Sequence, residues 1–171
     1  MIEKYLRGQT EQDDHSIHLL FAANRWEVAK SMREQIESGV TLIVDRYSYS
    51  GAVYSASKDN PDLSLKWAWE SEAGLPRPDL LLFLSISSEE AAKRGGYGEE
   101  RYETEAMQKR VRSLFEQILK MRHDYEICQV DAGRSIEEVH DEMLTAVMKT
   151  MSSEAIKQPL GKLGTWDEMS K

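Results

Sequence analysis

Three short apolar runs punctuate a chain whose remaining spacing is mostly helical. Residues 40–44 (VTLIV) and 79–86 (DLLLFLSI) are apolar without alternation. Runs of that kind predict parallel strands buried on both faces. Residues 125–130 (YEICQV) predict a third strand. Between them the apolar positions recur at helical intervals. Ile17, Leu20, Phe21 and Asn24 follow the i, i+3, i+4, i+7 pattern, with Asp13 and Asp14 suited to the helix start. Residues 27–38 predict a second helix with Ala29, Met32 and Ile36 on one side and Gly39 as its stop. Short helices are expected over 50–57 and 64–73. Another opens at Ser87 with Glu90 as its capping partner and ends near Arg94. Residues 105–122 predict an amphipathic helix that buries Met107, Val111, Leu114, Ile118 and Met121. Ser135 and Glu138 form a second capping box ahead of a helix over 136–151. Residues 1–12 carry no firm signal, and from Ser152 the chain reads as a polar tail.

Strands alternating with helices predict an α/β class: a three-layer parallel sheet with helices on both faces. Most of the 171 residues are expected to form one domain, 1–163, with residues 164–171 as a C-terminal tail. Residues 95–103 (GGYGEERYE), glycine-rich and charged, suit a lid over a site, so the lid is set at about 94–104.

Composition narrows the partners. A net charge of −8 argues against a general nucleic-acid or membrane-surface binder, which needs a basic face, but leaves room for a small anion gripped by local arginines. No apolar run approaches the roughly 20 residues of a membrane span. No secretory signal is expected, and the single cysteine, Cys128, fits a reducing compartment.

Chemistry is expected at the end of the first strand, where Asp45, Arg46 and Tyr47 follow one another. Ligands of open α/β sheets bind beyond the carboxyl ends of the strands. A carboxylate there can hold a metal ion through water, and a guanidinium can grip a phosphate. Ser48, Ser50, Gly51 and Ala52 follow, small enough for a ligand to come close. The triplet alone reads equally well as a strand ending in a surface ion pair. Phe21 and Arg25 lie one helical turn apart and could stack on a base and bond its edge. Taken alone, that pair reads more readily as a core ring beside a solvated flank.

Several blocks in order carry a family resemblance: HSIHLLFAANRWE (15–27), GVTLIVDRYSYSG (39–51), GLPRPDLLLFL (74–84), AAKRGGYGEERYE (91–103), VDAGRSIEEVH (130–140) and QPLGKL (158–163). Together they resemble the eukaryotic-type thymidylate kinases, which phosphorylate thymidine monophosphate with ATP. The resemblance implies a P-loop NTPase fold of the nucleoside monophosphate kinase kind, Mg2+ and ATP as cofactors, and a homodimer. It implies that Phe21 stacks on thymine and Arg25 bonds the base. Asp45 would hold magnesium through water, and Arg46 the monophosphate. Ser50, Gly51 and Tyr54 would line the pocket, with Tyr102 and Gln108 closing it. Arg94 and Arg134 would flank the adenine, and Arg101 would neutralise the transferred phosphoryl group. Residues 17–20 and 26–36 would supply the dimer interface. A cytoplasmic location, or cytoplasmic and nuclear, is expected.

One departure stands out. No G-x-x-x-x-G-K-[ST] occurs, and residues 1–16 correspond to a stretch after the family's second strand. The fold is therefore expected to be incomplete at its N-terminal end. Strands 40–44 and 79–86 would each lose a neighbour, and kinase activity would be weak or absent. Two alternatives follow: a noncatalytic nucleotide-binding relic, or a relative acting on deoxynucleosides.

Overall fold

A computed structural model describes residues 2–93, 105–121 and 123–171. It contains helices α1 (Ile2–Leu6), α2 (Asp14–Glu37), α3 (Ser48–Ala56) and α4 (Leu65–Glu70), then strand β1 (Leu80–Ser85) and α5 (Ser88–Lys93). After these come α6 (Glu105–Leu119), β2 (Glu126–Asp131), α7 (Ile136–Met151), a 3-10 turn (Glu154–Lys157) and α8 (Trp166–Met169). Among the described residues the chain forms two compact units. The first is drawn from residues 2–76, 105–121 and 162–171, the second from 77–93 and 123–161.

The first unit holds most of the core. The two helices expected over 13–38 are one continuous α2. No glycine or proline interrupts residues 14–37, so propagation continues through the polar stretch at Asn24. Asp13 caps its start by accepting from the Ser16 N–H at 2.9 Å. A Schellman turn ends it. Gly39, at φ +89°, donates to Ile36 O, and Val40 donates to Gln35 O. The buried stripe also differs from the expected one. It runs through Ile17, His18, Ala22 and Ala29, whereas Asn24 is exposed and Phe21 half-buried. This stripe lies against α3, which contributes Tyr49, Ala52 and Val53. α4 and α6 pack on α3 in turn, adding Trp69, Met107 and Val111 to the core.

Residues 1–12 and the C-terminal stretch are more ordered than their polarity suggested. α1 packs on α2 and buries Tyr5. Residues 162–164 return to the segment after α4: Leu163 donates to Leu75 O at 2.9 Å, and Gly74 donates to Leu163 O at 2.8 Å. Trp69 Nε1 donates to Gly164 O, and Thr165 and Glu168 form a capping box that starts α8. Leu163 and Met169 are buried there, which supplies the apolar area that holds a short polar segment down.

The second unit contains a two-stranded parallel sheet, β1 beside β2, with Leu80 opposite Glu126 and Ser85 opposite Asp131. Here the expectation of three strands is corrected. Residues 40–44 have no strand geometry, and Ile43 is 97% exposed. A strand is defined by ladder hydrogen bonds, and among the described residues no segment pairs with 40–44. β1 is likewise not the fully buried strand its composition predicts. None of its six residues is buried, and among the described residues its one ladder partner is β2. α7 spans Ile136–Met151, opened by the Ser135–Glu138 capping box as expected, and packs on both strands.

Candidate functional site

In the first unit, α2 and α3 bring several of the sequence-predicted residues together. The centre of the arrangement is Arg25. Its Nε donates to Glu72 Oε2 at 2.7 Å, and its Nη2 donates to Glu72 Oε1, giving a bidentate pair. Glu72 is wholly buried just beyond the end of α4. Burial pushes its carboxyl above the ordinary range, and the Arg25 charge and hydrogen bonds oppose that push. On another side the guanidinium lies against Gly51 of α3. A Cβ at that position would stand 2.8 Å from Cζ. Glycine is therefore required here for close approach, in helical backbone, and not for a special φ.

Phe21, half-buried, is one turn before Arg25 on α2. Ser50 and Tyr54 are on α3 with Gly51 and are also half-buried. Arg46 precedes α3 with φ +61°, a left-handed conformation that ordinary side chains adopt at some expense. That backbone turn sets its guanidinium over the Tyr54 ring, 5.4 Å from the centroid. Arg46 and Asp45 are both exposed. Gln108 is half-buried on α6, a helix tied to the end of α3 by Arg110 Nε donating to Ser57 O at 2.7 Å. Arg94, Arg101 and Tyr102, together with the expected lid, lie outside the described residues.

A polar network underlies this surface. His18 Nε2 donates to the Ala68 carbonyl at 2.9 Å, which fixes the tautomer. Its Nδ1 therefore accepts from the Ser55 hydroxyl at 2.8 Å. Burial drives the ring down to about 4, keeping it neutral. The Tyr47 hydroxyl is buried without a hydrogen-bond partner, and burial, aided by the Glu72 charge, pushes it up to about 12. It remains a donor at neutral pH. Sequence reasoning gave no role to Glu72 or His18. Glu72 is one of two acids in the string WAWESEAG, and nothing in the string separates it from Glu70.

Arg134 belongs to the second unit. It donates from Nε to Asp131 O and pairs through Nη2 with Glu142. It lines a cavity of about 280 Å³ with Leu84, Ala132, Val139, His140 and Met143, at the carboxyl end of β1 and the start of α7.

Among the described residues no three His, Cys, Asp or Glu side chains gather as a metal site. Asp45, the carboxylate expected to hold magnesium, is exposed beside Arg46. Among the described residues, no helix is long and apolar enough to cross a membrane.

Comparison with known proteins gives a consistent result. A family model described as thymidylate kinase matches residues 1–143. A Homo sapiens thymidylate kinase is 42% identical over 167 residues, covering 95% of this chain and 75% of the relative. A Danio rerio thymidylate kinase is 41% identical over 164 residues, with the same coverage of each chain. The solved structure of a thymidylate kinase from Candida albicans superposes with a TM-score of 0.79 at 30% identity, covering 95% of this chain and 79% of that one.

Proposed function

This chain belongs to the thymidylate kinase family, enzymes of α/β nucleotide-kinase fold, and from that membership we propose that it binds thymidine monophosphate between α2 and α3. The observation that carries the reading is the guanidinium of Arg25 held against Gly51, one turn from the Phe21 ring. That arrangement supplies a flat apolar face for a pyrimidine and fixed donors for its edge. Ser50 and Tyr54, on α3 with Gly51, would line the same pocket. Arg46, exposed at the mouth beside Tyr54, is the cation for the monophosphate. Tyr102 and Gln108 would close the pocket, and Arg101 would neutralise charge on the transferred phosphoryl group.

ATP is the proposed phosphoryl donor, with its adenine against the Arg134 cavity and Arg94. Asp45 would hold magnesium through water. Bound magnesium would offset phosphate charge during transfer. The residues of this chain do the remaining work by orienting the acceptor phosphate and placing cations along the transferring group.

The finer architecture, a three-layer sheet of P-loop NTPase type, is proposed on the same basis, as is a homodimer through the exposed side of α2. A cytoplasmic location is part of the proposal. The 171 residues contain no G-x-x-x-x-G-K-[ST] pattern. A second reading is a nucleotide-binding protein without turnover.

Thermal melting with and without thymidine monophosphate tests the first claim. At about 100 times the dissociation constant, a bound ligand should add roughly 2.7 kcal/mol of stability. A cooperative melt that thymidine monophosphate does not move would refute the binding reading. A coupled assay with ATP then separates enzyme from binding protein. A shift with free nucleosides in place of monophosphates would favour a deoxynucleoside kinase.

A further inference from the structure

We infer that Glu72 is a positioning residue for base recognition, acting through Arg25. The inference rests on the thymidine monophosphate reading and names what would make its Arg25 contact selective. Glu72 has no solvent exposure, and the Arg25 side chain is 14% exposed. Two charges so far from water stay together only if each compensates the other. Glu72 engages Nε and Nη2 and leaves Nη1 to other acceptors. Its own backbone is fixed on both sides, with Glu72 donating to Trp69 O at 2.8 Å and Leu75 donating to Glu72 O at 3.1 Å. The carboxylate is thus a rigid anchor, and Gly51 closes the guanidinium from a second direction. The side chain of Arg25 has little freedom to turn.

A guanidinium presents only N–H donors. Held still, its remaining edge donates to a base carbonyl and opposes a base amino group. A mobile guanidinium can swing away from the amino group and lose that discrimination. Glu72 therefore converts a general cation into a selective reader of keto pyrimidines. Tyr47 adds to the case. Its unpartnered buried hydroxyl lies within the electrostatic reach of both Glu72 and Arg25.

The test compares Glu72→Gln with the wild-type chain by calorimetry, using thymidine monophosphate, deoxycytidine monophosphate and deoxyribose 5-phosphate as probes. The wild type should favour thymidine over deoxycytidine monophosphate by at least about tenfold, and the variant by under about threefold. Affinity for the baseless sugar phosphate should not change. In an Arg25→Met background, Glu72→Gln should produce no further change in the ratio. A folded Glu72→Gln chain with wild-type discrimination overturns the inference. So does an equal loss for all three probes, which would mark a merely structural role, or a further change in the ratio without Arg25. If Glu72→Gln does not melt cooperatively, Glu72→Asp takes its place. It keeps the charge but withdraws the carboxylate by one methylene, and an unchanged ratio there is equally decisive. A wild-type chain that binds none of the three probes overturns the underlying binding reading instead.

Discussion

Gly51 and the Arg25 guanidinium occupy space that a single extra carbon would contest: a Cβ on Gly51 would stand 2.5 Å from Nη2 and 2.9 Å from Nη1. In a helix interior alanine is favoured over glycine by about 1 kcal/mol. Here the same methyl must displace a guanidinium that a buried carboxylate is holding. Gly51→Ala should therefore melt below the wild type, because displacing the guanidinium leaves the buried Glu72 uncompensated, and should lose thymidine monophosphate affinity by at least about tenfold. Melting curves and calorimetry on the same sample would separate the two effects. Unchanged affinity would mean that the guanidinium plays no part in binding.

His18 makes stability depend on pH. Its folded value lies near 4, below the usual 6.5, because burial disfavours the charged ring. A group depressed in this way contributes fully above its unfolded value. That contribution is lost as pH falls from about 6.5 to about 4. The size is on the order of 3 kcal/mol. Urea titrations at pH 7 and pH 5 should show the wild type weaker at the lower pH. His18→Gln should be less stable at pH 7 and flatter between the two, apart from carboxylate contributions shared by both proteins.

Arg46 opposes function to stability. Its φ of +61° suits glycine, and the left-handed region costs other residues about 1–2 kcal/mol. Arg46→Gly recovers that strain but gives back part of it as chain entropy. The variant should be unchanged or up to about 1 kcal/mol more stable, while losing most affinity for the monophosphate. A stable variant that binds as well as the wild type would remove Arg46 from the phosphate site.

Ile43 and Trp69 provide a direct check on the fold. Ile43 is 97% exposed, so Ile43→Ala should change stability by less than about 0.5 kcal/mol. Trp69 is wholly buried and bonds Gly164 O, so Trp69→Ala should cost about 3–5 kcal/mol. A large loss from Ile43→Ala would mean that residues 40–44 are buried in solution.

Much of the chain was legible without coordinates, for identifiable physical reasons. Helix starts at Asp13 and Ser135 are written locally, because a capping side chain and the amide it accepts lie within three residues. The Gly39 stop is local too. The apolar periodicity of residues 105–122 marked Met107, Val111 and Ile118 as buried, and they are. Phe21 and Arg25 could be paired from spacing alone, since a helix fixes which residues share a turn. What spacing cannot encode is which distant group compensates a charge. Glu72 meets Arg25 across 47 residues, and Gly51 meets it across α3; both depend on how α2, α3 and the end of α4 pack. The same limit explains residues 40–44. Apolar, β-branched composition specifies a strand only where a neighbour offers its backbone, and that neighbour is a property of the assembled fold rather than of the five residues themselves.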